Sequence, residues 1–278
     1  LTTRRQRQMC IRDRLYRIIF HVPIFIILVC STNLISQSIV NTEKLFSSKP
    51  VNGLTFSSEL NGSAISGNAS VLLLGYSLNF AYKKDNHFIR LLGGGQNIIQ
   101  NQNEVSNSIF SQLRYNYLIN DNNRIFTFGQ IQANAILLLE RRILFGGGYR
   151  TKIINLKKDS VFKFSIDLSL GLMQEIEELN RDKLPINEKY YTNYTRSIIS
   201  LVGLLELNQK LSIINTVYFQ QYLSNLADYR LLNETNFLFK FNEKLSFSFD
   251  VEYRLDSEPP SVLFDKDLNS NIGLVFNL

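Results

Sequence analysis

Few residues beyond position 36 carry chemistry that could make or break a bond. His87 is the single histidine there, in the run His87-Phe-Ile-Arg90, with no serine two residues on. Ester or lipid hydrolysis of the serine type needs a histidine base within hydrogen-bond reach of a serine oxygen. This run supplies no such pair, and a solvated turn residue is the simpler reading. Both cysteines, Cys10 and Cys30, fall within the first 36 residues, which removes thiol nucleophiles, disulfides and thiolate zinc sites from the rest of the chain. The triplets Gly93-Gly-Gly95 and Gly146-Gly-Gly148 resemble phosphate loops, but neither precedes Lys-Ser, Lys-Thr or a helix whose dipole could hold an anion. Glycine inside a strand more often marks a bend or a close backbone approach. No catalytic residue, cofactor or metal site is expected, and the chain reads as a non-enzyme.

Two acidic groups remain. Glu175, Glu177, Glu178 and Asp182, with Arg181 and Lys183 nearby, could gather a divalent cation. Their spacing is not that of an EF-hand loop, so a solvated surface loop is favoured. Asp256, Glu258, Asp265 and Asp267 bracket Pro259-Pro260, whose fixed φ stiffens a hairpin; cation binding that bridges lipopolysaccharide is the alternative. The candidate surface-loop residues are thus Glu175, Glu177, Glu178, Asp182, Asp256, Glu258, Pro259, Pro260 and Asp265.

The elements that would position these residues follow from a period of two. Leu245, Phe247, Phe249, Val251, Tyr253 and Leu255 alternate with Ser246, Ser248, Asp250, Glu252 and Arg254. Residues 162–172 do the same, with Phe162, Phe164, Ile166, Leu168, Leu170 and Leu172 on one face. Such alternation is a β-strand signature. It recurs over about twelve segments, near 53–62, 69–83, 87–99, 104–118, 124–138, 141–154, 161–175, 190–206, 211–222, 228–241, 244–256 and 266–278, with a short helical turn allowed within 175–184. Short polar links such as Lys84-Asp85-Asn86 and Asn242-Glu-Lys244 alternate with longer ones such as 175–189 and 257–265. That pattern predicts an all-β, antiparallel, up-and-down transmembrane barrel with short periplasmic turns and long surface loops.

Twelve strands enclose more space than the eight-strand case that side chains just fill, so the apolar face is expected to point outward. Aromatics near the two rims fit interfacial belts. Phe80, Tyr82, Tyr115, Tyr117, Phe126, Phe128, Phe162, Phe164, Phe239, Phe241 and Phe247 lie near the short turns, and Tyr190, Tyr191, Tyr194, Tyr222, Tyr229 and Tyr253 near the long loops. The opposite face then lines the lumen, with Gln112, Arg114, Lys163, Asp167, Arg196, Arg230, Glu234, Asp250, Glu252 and Arg254 as candidates. They mix both signs, which argues against strong ion selectivity and leaves plug and narrow wet path both open.

The net charge of +6 and a sequence pI near 9.2 suggest nucleic acid until the charge is located. Six arginines, at 4, 5, 7, 12, 14 and 17, stand against one acid, Asp13, in the first 36 residues. The remainder is nearly neutral, and no nucleic-acid partner is expected. Residues 15–36 run basic, apolar and then small, the order of a cleaved signal peptide, and the apolar run Ile18–Cys30 is too short for a membrane helix. Residues 1–14 are read as an adapter-derived leader, 37–52 as a linker and 53–278 as the barrel.

Ser66-Gly67-Asn68, Phe145-Gly-Gly-Gly-Tyr-Arg150 and Tyr253-Arg-Leu-Asp-Ser-Glu-Pro-Pro260 followed by Lys266-Asp267 resemble the YdiY-like outer-membrane proteins, a domain-of-unknown-function family numbered 481. The resemblance covers 52–278 and implies a secreted outer-membrane barrel, with some members linked to salt or acid stress. It brings no catalytic residues. The alternation Ile272, Leu274, Phe276, Leu278 is similar to the C-terminal signal read by the barrel-assembly machinery, although Leu replaces the usual terminal Phe. The expected partners are outer-membrane lipid, the assembly machinery and a small solute. The sequence carries no signal for oligomeric state. The expected role is a small-solute channel or an envelope-stability component, with a surface receptor or adhesin acting through 175–189 and 257–265 as the alternative.

Overall fold

The computed structural model describes residues 52–65, 71–100, 103–158, 162–208 and 210–277. The leader, the signal peptide, nearly all of the linker, Ser66-Gly67-Asn68 and Leu278 lie outside the described residues. Twelve strands run in chain order: β1 (Gly53–Ile65), β2 (Val71–Lys84), β3 (His87–Gln100), β4 (Asn103–Leu118), β5 (Asn123–Asn134), β6 (Leu139–Lys158), β7 (Phe162–Leu179), β8 (Tyr191–Leu207), β9 (Leu211–Tyr222), β10 (Tyr229–Lys240), β11 (Leu245–Asp256) and β12 (Lys266–Asn277). Each pairs antiparallel with its sequence neighbours, and β1 pairs with β12 to close the barrel. Closure leaves no open edge, as lipid requires. A 3₁₀ turn, Arg181–Lys183, sits in the β7–β8 loop and is capped by the Asn180 side chain.

Side-chain direction follows the alternation. On β2, Leu72, Leu74, Tyr76, Leu78, Phe80 and Tyr82 are exposed, while Ser77 and Asn79 are buried. On β11, Ser246, Ser248 and Asp250 are buried. The buried face is therefore the polar one and the exposed face the apolar one, the reverse of a water-soluble barrel and the polarity of one surrounded by lipid. Strands of 12 to 20 residues exceed the roughly 9–11 that a tilted strand needs to cross the hydrocarbon.

The aromatic belts need correction at four positions. Phe126 and Phe128 point inward and pack with Leu144, Met173 and Ile198. Tyr194 and Tyr222 also share the lumen side, their rings stacked at 4.1 Å with the Arg196 guanidinium 5.6 and 5.8 Å from the two centroids. The external belt keeps residues such as Phe80, Tyr82, Tyr117, Tyr191 and Phe239.

β6 exceeds its expected span at both ends and β7 at its C-terminal end, and their register is allowed by glycine. Gly148 faces Gly171, and a Cβ on Gly148 would lie 2.2 Å from the Leu170 carbonyl oxygen. Replacing Gly148 by Ala must push the strands apart. The substitution should cost about 1–3 kcal/mol, read as a lower urea midpoint for the folded form in vesicles; an unchanged midpoint would contradict the close approach.

Candidate functional site

The lumen holds a buried ionic layer near the long-loop end. Glu175 on β7 accepts from Arg196 Nε of β8 at 2.9 Å and from Arg230 Nη1 of β10 at 2.6 Å. Arg196 also forks onto Asp228, at 2.7 and 3.2 Å. Arg230 reaches Asp256 at the end of β11 at 2.8 Å, and Glu177 at 3.5 Å. Arg142 of β6 donates to Glu177 through Nε at 2.6 Å and again through Nη2. Three guanidiniums and four carboxylates thus bind β6, β7, β8, β10 and β11 together, and the Glu175–Arg230 contact spans three strand positions across the interior. The Glu175, Arg196 and Asp256 side chains are each only 1% exposed.

Directly beneath lies an apolar layer. Two residues deeper on four of these strands, Arg142 gives way to Leu144, Glu175 to Met173, Arg196 to Ile198 and Arg230 to Leu232, while on β11 Asp256 gives way to Arg254. Leu144, Met173 and Ile198 form one buried cluster with Phe126 and Phe128, against which Tyr218 packs. Leu232 is fully buried. Deeper still, Asp167 holds Arg150 at 2.9 Å and Arg124 at 3.4 Å, and Glu59 of β1 accepts from Ser248 of β11 at 2.9 Å.

All ten expected lumen residues fall on the inner face. Gln112 donates to Gln130 at 2.7 Å, and Arg114 lies over the Phe126 ring at 4.6 Å. Lys163 pairs with Glu206 at 2.9 Å near the short-turn rim, and Arg254 with Glu252 at 2.7 Å; both pairs keep partial exposure. Asp250 accepts from Asn236, and Glu234 is buried opposite Glu252 in register.

The surface-loop assignment is corrected at four residues. Glu175, Glu177 and Glu178 belong to β7, which continues to Leu179. Glu175 and Glu177 are sequestered in the ionic layer, and Glu178 faces outward and pairs with Arg141 at 2.8 Å. Asp256 ends β11 inside the lumen. Asp182, Glu258, Pro259, Pro260 and Asp265 do lie in long-loop connections, with Pro260 buried. Ser261 N donates to Glu188 at 3.0 Å, tying two of these loops together. Sequence reading missed Arg90, Arg124, Arg142 and Arg150 as lumen groups. His87 stands outside the barrel, its Nδ1 2.8 Å from the Tyr115 hydroxyl, with no serine partner. Among the described residues no three His, Cys, Asp or Glu side chains are grouped to hold a metal ion.

A family model described as "Protein of unknown function, DUF481" matches residues 58–278. The chain belongs to the DUF481 family. A search of curated proteins finds no match. Among solved structures, the chain is similar to an outer membrane channel from Pseudomonas putida F1, at 9% identity and TM-score 0.50 over 87% of this chain and 100% of that one. It is also similar to the NanC porin, at 8% identity and TM-score 0.49 over 80% and 100%. The translocator domain of the autotransporter NalP from Neisseria meningitidis matches at 10% identity and TM-score 0.42 over 84% and 92%. At these identities the likeness is one of fold, a porin-like outer-membrane β-barrel.

Breaking the ionic layer from one side strands charge. Glu175→Ala should cost about 3–5 kcal/mol by leaving Arg196 and Arg230 short of a shared buried acceptor, whereas Lys163→Ala, at a part-exposed pair, should cost under about 1 kcal/mol. Urea unfolding in vesicles checks the ranking; equal effects would contradict it.

Proposed function

We propose that this DUF481 protein is exported through a cleaved signal peptide to the bacterial outer membrane, where it is a small-solute channel held shut by its own lumen side chains. The observation that carries this is the ionic layer resting on the apolar one. Ile198 at 2% and Leu232 at 0% exposure stand directly under the buried arginines, and a dry apolar constriction blocks water and ions even when its walls are close to parting. An element serving only to stiffen the envelope would have no use for paired charges over an apolar floor, since well-packed apolar residues stabilise a core at least as well. The similar barrel from Pseudomonas putida F1 is described as an outer membrane channel, which agrees with this reading.

Opening such a barrel requires moving both layers. Removing Glu175 and Arg196 together takes out one charge of each sign and leaves Arg230 on Asp256, with Asp228 alone losing its arginine, so the informative variant combines Glu175→Ser, Arg196→Ser, Ile198→Ala and Leu232→Ala. In a planar bilayer the wild-type barrel should be silent or open rarely, and the four-site variant should give reproducible steps. A folded, inserted four-site variant that passes no current would rule out the channel and leave the envelope-stability and surface-receptor roles. Large continuous wild-type currents would refute the closed lumen.

A further inference from the structure

The near neutrality of the barrel is the sum of two unlike ends. At the short-turn end, Lys84, Lys157, Lys158, Lys210, Lys240 and Lys244 lie in the turns or at the last two positions of the strands that enter them. None forms an ion pair with an acid among the described residues. The acids of the same turns are Asp85, Asp121, Asp159 and Glu243, and the nearby Lys163–Glu206 pair cancels itself. The long connections have the opposite balance: Asp182, Glu188, Asp228, Glu258 and Asp265 stand against Arg181, Lys183 and Lys189. A barrel with this polarity meets one leaflet through lysines and the other through carboxylates.

The lysines are held at headgroup depth. The five short connections are two to four residues long, so no lysine can reach far past the aromatic belt. Lys84 continues the outward row of β2 one step beyond Tyr82, and Lys158 stands directly opposite Phe162. A lysine so placed lays its alkyl stem along apolar surface and puts its ammonium among lipid phosphates. Around Lys84 the contact is built further. His87 is its partner in register, and His87 in turn opposes Tyr117, whose ring lies edge-on with its centroid 5.5 Å away. When the Tyr115 hydroxyl donates to Nδ1 at 2.8 Å, the imidazole carries its proton on Nε2, where a phosphate oxygen can accept it. Lys84, His87 and Tyr117 are all exposed.

We propose that the short-turn rim binds anionic phospholipid headgroups, of the phosphatidylglycerol kind, in the leaflet it meets, with Lys84 and His87 as the best-built contact. The lysine excess selects an anionic lipid over a zwitterionic one, because each lysine near the surface adds an attraction that falls off within a Debye length. A cell-wall polymer farther from the membrane is out of reach of turns this short. The inference is independent of the channel reading, since it concerns the rim and holds whether or not the lumen conducts.

Spin-labelled lipids read the contact. With the wild-type barrel in phosphatidylcholine vesicles at low salt, labelled phosphatidylglycerol should be enriched over labelled phosphatidylcholine in the motionally restricted shell by at least about twofold. Raising the salt to about 0.5 M should bring that ratio toward one; this titration needs no variant, and a ratio that persists would contradict the proposal. Combining Lys84→Gln, Lys158→Gln, Lys210→Gln and Lys244→Gln should abolish the preference, and arginine at the same four positions should keep it, each variant checked for the folded form by heat-modifiable migration. Lys84→Gln with His87→Gln should remove more of it than Lys210→Gln with Lys244→Gln. Arg181→Gln, Lys183→Gln and Lys189→Gln at the other end should leave it unchanged. A wild-type ratio of one, a ratio that survives the four glutamines, or an equal loss from the loop substitutions would overturn the proposal. Co-sedimentation with purified peptidoglycan in place of any lipid preference would assign the basic rim to the cell wall and overturn it as well.

Discussion

Lipid offers no hydrogen-bond partner to a backbone, and that constraint governs the rest of this molecule. Every strand must pair on both sides, so the sheet closes on itself, β1 onto β12. Once closed in a bilayer, the apolar face has to lie outside, and each polar or charged side chain on the other face must find its partners within the barrel. Arg196, with no exposure, is tolerable only because Glu175 and Asp228 satisfy it. The ionic layer near the long loops is built from such paired groups.

The layers work together. Arginine is suited to this interior because its planar fork can serve two acids at once, as Arg230 does with Glu175 and Asp256. The apolar side chains beneath deny water to those pairs, which strengthens them, and the pairs in turn hold the strands at the spacing that lets Leu144, Met173 and Ile198 meet. Loss of either layer therefore weakens the other.

The strand count, connection lengths, antiparallel order and outward apolar face were all legible, because period two survives wherever one face meets lipid. Legibility failed where both faces carry the same kind of residue. On β5, Ile125 and Ile131 face out while Phe126 and Phe128 face in, so alternation there has no contrast. Arg141 and Arg142 are adjacent, and a register irregularity between Leu139 and Arg141 helps decide which one enters the lumen. The run Glu175-Ile-Glu-Glu178 looked like a solvated loop because its charge density is high. The period in fact continues through it, with Met173, Glu175, Glu177 and Leu179 inside, and the surplus acid is explained only by arginines on β6, β8 and β10 that register brings near.

The most direct measurement is accessibility along β11. Single cysteines from Leu245 to Asp256, introduced with Cys10 and Cys30 replaced by Ser, would carry spin labels read with oxygen as the lipid-phase relaxant and a nickel chelate as the aqueous one. Labels at odd-numbered positions should respond to oxygen, and those at even-numbered positions, Ser248 and Asp250 above all, should be shielded from both reagents. Strong nickel relaxation at Ser248 and Asp250 would mean an open, water-filled lumen, and nickel relaxation at the odd positions would mean that the apolar face does not meet lipid at all.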